Sequence, residues 1–319
     1  MLLTEDAPAR TQRIDPAFRR DILEGLGHEP KSTPPIWFYD RRGSELFEQI
    51  TDLPEYYPTR TETALLKAHG PDVARAAGAG RAVVEFGAGS SRKTPYLLRA
   101  IDPAAYVPID ISGDFLRDSS AELARAFPQL PVLPVVGDFN QPLDLPKEIS
   151  SMPRLGFFPG STIGNMEPGA AVDLLRAMRR LLGEDAMLLI GMDRIKDRDR
   201  LIAAYDDAQG VTAAFNLNLI ERINRELDGD MPIDGFAHRA VWNDEKARIE
   251  MHLEAVRPLN FQVAGARFHM ERGETIHTES SHKYGTRDQR VLLRAGAWDP
   301  ADEWTDAEGL FGLVLAQAA

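Results

Sequence analysis

The stretch Val83-Val84-Glu85-Phe86-Gly87-Ala88-Gly89-Ser90-Ser91-Arg92-Lys93-Thr94 decides the fold. It opens apolar and β-branched, as a parallel strand covered on both faces does. It then turns through Gly87 and Gly89 and enters the polar start of a helix. Strand, glycine turn and helix in that order form the nucleotide end of a doubly wound α/β sheet. The glycines permit a tight turn and leave no Cβ between the backbone and a ligand. The helix start adds free N–H groups. Two features argue against a dinucleotide. Arg92 stands where the third glycine of G-x-G-x-x-G belongs, and Glu85 at the strand end would repel a pyrophosphate. A cationic ligand with a ribose fits better, and S-adenosylmethionine is such a ligand.

Working outward, Tyr106-Val107-Pro108-Ile109 ends in Asp110, 23 residues beyond Gly87 and close to the roughly 20 expected for a ribose-binding carboxylate. A further strand is expected over 132–136, leading into Gly137-Asp138-Phe139. There Asp138 would take the adenine amino group and Phe139 would stack on the ring. The cofactor candidates are therefore Glu85, Gly87, Gly89, Ser90, Lys93, Asp110, Asp138 and Phe139. Strands are also expected near 154–158 and 186–192, with helices near 92–100, 112–126 and 168–182 between them.

Composition bounds the rest. The chain has 319 residues, 43% hydrophobic and 27% charged, as in an ordinary soluble globular protein. A net charge of −12 argues against nucleic-acid binding. No apolar run approaches the ~18 residues of a membrane span, and residues 1–13 are not expected to be a signal peptide. There are no cysteines, so neither a disulfide framework nor a thiol nucleophile is available. A cytoplasmic protein with a small-molecule ligand is expected. The 7 histidines form no H-E-x-x-H, so no metal site is expected, and Ser90-Ser91 lies in no G-x-S-x-G elbow.

Before the glycine turn, Asp15-Pro16 signals a helix start. Two loops rich in proline and aromatics follow, around Tyr39 and around Tyr56-Tyr57, with a short helix near 44–51 between them and another helix near 60–78. After Asp193 the α/β pattern is interrupted. The charge run 194–200 is expected to be a solvated helix start. Helices are expected near 198–208 and 211–227, with Tyr205-Asp206-Asp207 on the first and its carboxylates as surface or cap groups. Alternation over 247–255 puts Ile249, Met251 and Leu253 on one strand face. Strand-like pieces near 238–243, 258–263 and 275–284 complete a mainly antiparallel insert. A helix near 286–294, a loop or short strand over 298–304 and a sheet-closing strand over 309–316 return to the α/β part.

Four stretches are hard to explain as core alone: the two aromatic loops, Gly160-Ser161-Thr162-Ile163-Gly164-Asn165 at the end of the fourth expected strand, and Thr278-Glu279-Ser280-Ser281. Ligands of open α/β sheets bind at the carboxyl ends of the strands, so Gly160, Ser161 and Asn165 should face the reactive end of the cofactor. Glu279 and Ser281, two apart on a strand, share a face.

Pro34-Pro35 with Trp37-Phe38-Tyr39-Asp40, Gly43-Ser44-x-Leu46-Phe47-x-Gln49-Ile50, Leu53-Pro54-Glu55-Tyr56-Tyr57-Pro58-Thr59-Arg60-Thr61-Glu62, the 160–165 stretch and Tyr205-Asp206-Asp207-Ala208-x-Gly210-Val211-Thr212-Ala213-Ala214-Phe215-Asn216 together resemble the histidine Nα-methyltransferases of ergothioneine biosynthesis, nearly end to end. The resemblance implies an α/β fold, with a Rossmann-like class I methyltransferase domain over 62–196 and 286–319. An inserted α+β substrate-binding domain is implied over 14–61 and 197–285. The implied reaction is S-adenosylmethionine-dependent trimethylation of the α-amine of L-histidine to hercynine. The alternative is a family member acting on another amino acid such as tryptophan. The resemblance gives Tyr39, Tyr56 and Asn165 catalytic positions and makes Phe47, Tyr56, Gly160, Asn165, Tyr205, Met251, Glu279 and Ser281 the substrate contacts. Glu279 and Ser281 would hold the imidazole. The last motif departs from the actinobacterial pattern, reading Thr278-Glu279-Ser280-Ser281-His282-Lys283-Tyr284 where Thr-Glu-Val-Ser-Cys-Lys-Phe is commoner. The expected partners are L-histidine and its methylated intermediates, with no nucleic acid, membrane or metal and a monomeric state.

Overall fold

The computed structural model describes residues 15–89, 91–139 and 141–319. Ser90, one of the cofactor candidates, and residues 1–13 lie outside the described residues.

In chain order the elements are α1 (Pro16–Gly27), β1 (Lys31–Ser32), α2 (Arg41–Thr51), α3 (Tyr57–Ala77), β2 (Ala82–Phe86), α4 (Thr94–Ile101), β3 (Ala105–Asp110), α5 (Gly113–Ala126), β4 (Val135–Val136), β5 (Arg154–Phe158) and α6 (Pro168–Leu182). They continue with β6 (Met187–Asp193), α7 (Arg198–Ala203), α8 (Val211–Glu226), β7 (Phe236–Asn243), β8 (Arg248–Ala255), β9 (Leu259–Val263), β10 (Ala266–Met270), β11 (Thr275–His282), α9 (Thr286–Ala295), β12 (Trp298–Thr305) and β13 (Phe311–Ala318). The chain divides into two compact units. One holds the described residues up to Glu45, with Ala213–Arg239 and Met251–Glu279; the other holds Leu46–Thr212, Ala240–Glu250 and Ser280–Ala319. Residues 46–61 and 197–212 thus fall with the α/β sheet.

The larger unit is built on a seven-stranded sheet of order β12-β13-β6-β5-β2-β3-β4. β4, β3, β2, β5 and β6 run parallel, while β13 and β12 are antiparallel. Strand β2 is fully buried, and its alternation feeds two cores. Val84 and Phe86 pack in a cluster with Leu174, Leu175 and Met178 of α6 and Leu293 of α9. Val83 packs in another with Leu65 and Leu66 of α3 and Leu97 and Leu98 of α4. Helices on both faces explain why the strands read as continuous apolar runs. Strand order reverses at β2, whose neighbours are β3 and β5. The carboxyl ends of β2 and β5 are therefore the topological switch point.

The smaller unit contains α1, most of α8, the antiparallel pair β9–β10, and β1, whose Lys31 and Ser32 pair in parallel with Ile276 and His277 of β11. Phe18, Ile22 and Leu26 of α1 are buried, as are Phe215 and Leu219 of α8. Asp15 caps α1 by accepting the Ala17 N–H at 2.8 Å, as its position before Pro16 predicts. β11, β8 and β7 share a sheet.

Several elements differ from the sequence expectation. The strand expected over 132–136 is reduced to Val135–Val136 and an isolated bridge between Val132 and Tyr106, because Pro131 and Pro134 supply no N–H to a ladder. The helix expected over 198–208 stops at Ala203, and Tyr205-Asp206-Asp207 lies in the turn before α8. Asp207 caps that helix, accepting the N–H groups of Val211 at 3.0 Å and Thr212 at 2.7 Å. β10 was not anticipated. The 298–304 segment is a full edge strand, and β13 lies inside the sheet rather than closing it. The charge run after Asp193 is not solvated throughout, since the Lys196 side chain is only 7% exposed.

Candidate active site

At the end of β2 the backbone turns with positive φ at Gly87 (+69°) and Gly89 (+50°). A Cβ at Gly89 would meet nothing within 4 Å, whereas one at Gly87 would touch the Phe139 ring at 3.5 Å. The turn is braced from β3: Asp110 accepts the Gly89 N–H at 3.0 Å and, through its other oxygen, the Ser112 N–H at 2.9 Å. A carboxylate has about four lone-pair sites, so Asp110 keeps acceptor capacity for a diol. Phe139 stands edge-on to Phe86 and Phe158, with centroids 6.2 and 5.8 Å away.

Glu85 takes a different position from the one its place in the sequence suggested. It is 2% exposed and faces inward, accepting from Thr94 Oγ1 at 2.7 Å and from the Tyr106 hydroxyl at 2.6 Å. Burial pushes its carboxyl up to about 7. Lys93 is paired with Glu62 of α3. Glu62 is fully buried and also accepts the Gly160 N–H with both oxygens, at 3.1 and 2.9 Å. Glu62 therefore links the helix start after the glycine turn to the loop after β5.

That loop is bent sharply, with φ of +79° at Gly160 and +55° at Ser161, and then makes a 3₁₀ turn over Thr162–Asn165. Ser161 Oγ accepts the Asp193 N–H at 2.9 Å, and the Gly164 carbonyl lies 2.9 Å from His282 Nδ1. A Cβ at Gly164 would fall 2.8 Å from the His282 carbonyl oxygen, so a close backbone approach requires this glycine. Asn165, half-buried, is thereby held between the ends of β5 and β11.

The same unit brings four more candidates together. Tyr56 stands edge-on to Phe47 and to Tyr205, with centroids 6.4 and 6.1 Å away. The Tyr205 hydroxyl is 2.7 Å from Ser281 Oγ. Behind them lies a buried ionic cluster that the sequence reading assigned no role. The Lys283 side chain is 0% exposed and reaches Asp193 Oδ2 at 2.8 Å, Tyr205 Oη at 3.0 Å and Ser281 Oγ at 2.7 Å. The Tyr57 hydroxyl donates to Asp193 at 2.7 Å, and Lys196 reaches both Tyr57 and Asp193. Burial opposes the charge on Asp193, but the two ammonium groups hold its carboxyl below the usual range. Burial lowers Lys196 to about 8, and burial, with the Asp193 charge, raises Tyr57 far above an ordinary phenol. A recess of about 590 Å³ beside Pro54, Arg60, Arg200 and Glu308 contains Tyr57 but none of the strand-end candidates. The converging side chains, not this recess, mark the site.

In the smaller unit Tyr39 stands edge-on to Phe215, with centroids 5.9 Å apart. Its neighbour Asp40 accepts from the Gly43 N–H, Asn218 and Arg225 at 2.7–2.9 Å, which fixes the backbone that carries Tyr39. Met251 is buried on β8, and its carbonyl accepts from Thr278 of β11 at 3.0 Å. Glu279 is 8% exposed. The end of β11 is covered on both faces, Thr278 to His282 all being buried, so it is not a solvated strand edge.

A family model described as histidine-specific, S-adenosylmethionine-dependent methyltransferase matches residues 18–318. The chain belongs to this family. Within it, the histidine N-alpha-methyltransferase of Mycolicibacterium smegmatis is 42% identical over 306 residues, covering 94% of each chain. That of Mycobacterium tuberculosis is 41% identical over 307 residues, with the same coverage. The ergothioneine biosynthesis protein 1 of Neurospora crassa is 29% identical over 86% of this chain and 32% of its own length. Family membership makes the chain an S-adenosylmethionine-dependent methyltransferase. Among the described residues, no group of three or more His, Cys, Asp or Glu is placed to hold a metal, and no helix is long and apolar enough to cross a membrane.

Proposed function

We propose that this enzyme transfers three methyl groups to the α-amine of L-histidine, giving hercynine for ergothioneine biosynthesis in the cytoplasm, and that it acts as a monomer. The observation that carries the reading is the hydroxyl pair Tyr205–Ser281, 2.7 Å apart and backed by Lys283. It gives a buried polar contact to one ring of an amino acid, two residues along β11 from the buried carboxylate Glu279. Two polar groups on one strand face suit the two nitrogens of an imidazole better than the single N–H of an indole.

The residues at the β2, β3 and β4 ends fit S-adenosylmethionine. Gly89 has open space over its backbone, Asp110 has remaining lone pairs for a ribose diol, and Asp138 and Phe139 offer an acceptor and a ring to the adenine. When bound there, the cofactor supplies an electrophilic methyl group on a sulfonium. Methyl transfer is an in-line displacement, so the protein's work is to hold a neutral amine in line. In this reading Tyr56, Asn165 and Tyr205 orient the amino-acid end, and Tyr39 lies beside the amine. A free α-amine has a pKa of about 8, so a neutral fraction is present near neutral pH. Tyrosine faces stabilise the growing ammonium by roughly 0.5–2 kcal/mol. Glu279 accepts the imidazole N–H and fixes the ring tautomer, and Met251 and Phe47 limit the pocket width.

The test is a substrate panel. The purified enzyme is incubated with labelled S-adenosylmethionine and each amino acid, and the products are weighed. Histidine gaining three methyl groups supports the reading. Preferential methylation of tryptophan selects the alternative family activity, and no methylation of any amino acid rejects both.

A further inference from the structure

β11 ends on His282, at the position where cysteine is commoner in the actinobacterial pattern. The residue is 6% exposed, and its Nδ1 lies 2.9 Å from the Gly164 carbonyl oxygen. A carbonyl oxygen only accepts, so Nδ1 carries the hydrogen and donates it. Burial holds the imidazole below the usual histidine value, against the pull of that same hydrogen bond, so near pH 7 the ring is neutral, protonated at Nδ1 and bare at Nε2. Backbone packing tightens the contact: a Cβ on Gly164 would fall 2.8 Å from the His282 carbonyl oxygen and 3.3 Å from its nitrogen. Other contacts hold the turn on either side. Before it, Ser161 Oγ accepts the Asp193 N–H. After it, Glu167 pairs with Arg248 of β8, which Glu250 holds at 2.7 Å. All of these residues belong to the larger unit. His282 grips the peptide group that leads directly into Asn165, the last residue of the 3₁₀ turn.

We propose that His282 is a positioning residue for the amino-acid substrate: its Nδ1–H fixes the Gly164–Asn165 peptide plane, and with it the direction in which the Asn165 side chain enters the site. The inference rests on the reading in which Asn165 orients the amino-acid end. A peptide group is planar, so fixing the Gly164 oxygen also fixes the Asn165 nitrogen and its bond to Cα. A cysteine offers a weak S–H donor on a shorter side chain, so this hold belongs to the histidine form of the motif. The imidazole acts through Asn165 without touching the substrate. Its loss should therefore appear in histidine affinity and not in cofactor affinity.

The experiment uses the full chain and measures L-histidine binding by calorimetry in the presence of S-adenosylhomocysteine. Asparagine and leucine share one heavy-atom shape, and the asparagine nitrogen stands as many bonds from Cβ as Nδ1 does. Glutamine places its nitrogen one bond further out. His282→Leu should weaken histidine binding about tenfold, within the roughly 10²-fold that a misplaced group can cost, and His282→Gln should do the same. His282→Asn keeps the donor and should bind histidine within about threefold of wild type. S-adenosylhomocysteine affinity should be unchanged in all three. A role confined to folding would lower the urea midpoint and leave the histidine affinity of the folded enzyme alone. Asn165→Ala completes a double-mutant cycle: if His282 acts through Asn165, His282→Leu should change histidine affinity less than about twofold in that background. In the wild type the ring ¹⁵N spectrum at pH 7 should show His282 protonated at Nδ1 and bare at Nε2, its signals being identified by their loss in His282→Asn. Wild-type histidine affinity in His282→Leu, equal losses in the Asn and Leu variants, or losses from His282→Leu and Asn165→Ala that multiply would each overturn the inference, as would a ring protonated at Nε2 alone. If His282→Leu does not fold, His282→Gln takes its place beside His282→Asn and in the cycle. Unchanged histidine affinity in Asn165→Ala rejects the substrate role of Asn165 itself, and this inference with it.

Discussion

Glu62 offers a sharp test of how the two halves of the methyltransferase site are held. Its carboxylate is fully buried, pairs with Lys93 and accepts the Gly160 N–H. The Lys93 side chain is only 17% exposed, so solvent cannot replace the lost partner fully. Breaking a buried pair from one side costs about 3–5 kcal/mol, and Glu62→Ala should destabilise the enzyme by that order in urea unfolding. Glu62→Gln keeps an acceptor for Gly160 and loses only the charge, so it should cost about 1.5–3 kcal/mol. The loop carrying Asn165 would then lose one of its anchors. A misplacement of about an ångström can cost roughly 10²-fold, so kcat/KM for histidine should fall about 10- to 100-fold in Glu62→Ala. The same carboxylate can be displaced without touching it. A Cβ on Gly191 would fall 2.1 Å from Glu62 Oε1, so Gly191→Ala must push the carboxylate out and should reproduce the Glu62→Ala phenotype. If Glu62→Ala unfolds at the wild-type urea midpoint and keeps kcat/KM within twofold, the linkage is not what holds the loop.

Asp110→Ala removes the brace of Gly89 along with the proposed ribose acceptor. Calorimetry should show S-adenosylmethionine binding weakened about tenfold or more, at roughly 1.5–3 kcal/mol per charged hydrogen bond. Glu279→Ala should raise the histidine dissociation constant at least tenfold while leaving cofactor affinity nearly unchanged, and wild-type binding by that variant would remove Glu279 from the ring site. Glu85 carries a pH signature. Its carboxyl is raised to about 7 in the folded chain against about 4.3 unfolded, so the native state holds the extra proton. That contribution to stability is complete below the unfolded value and is lost as pH rises towards 7. Glu85→Gln should flatten the decline in urea midpoint between pH 4.5 and 7, and an unchanged slope would show that Glu85 is ionised in the fold. The rate at subsaturating histidine should climb from pH 7 towards about 8.5 as the amine deprotonates; a flat profile would mean that the amine's proton is removed by another route.

The glycine turn, the carboxylate ending β3 and the parallel strands were legible because each is encoded locally, by two glycines, by a spacing and by apolar runs. Asn165 and Tyr205 are proposed on the length of the motifs that carry them. The ionic cluster was not legible. Asp193 and Lys196 sit in what reads as a strand end followed by a solvated charge run, and Lys283 lies far along the chain. Only an isolated bridge between Arg194 and Tyr284 brings the Tyr284 N–H to the Asp193 carbonyl at 2.9 Å, and with it Lys283 to the Asp193 carboxylate. Glu85 shows the reverse failure: its sequence position suggested a ligand contact, but its side chain turned inward to Tyr106 and Thr94. β4 was overextended because the apolar pattern outweighed its two prolines.

The placement of β13 bears on when the large sheet is completed during folding. Phe311 pairs with Asp193, and the strand runs between β6 and β12. On a ribosome, β2 to β6 and their helices emerge long before residues 311–318, and until then β6 is an open edge. Such distant pairings form late because loop closure must precede their contacts. β6 ends at Asp193, the carboxylate on which Lys283 and Lys196 converge, so sheet completion and assembly of that cluster meet at one residue. A chain cut after residue 310 should be inert and prone to pairing its bare β6 edge with another copy.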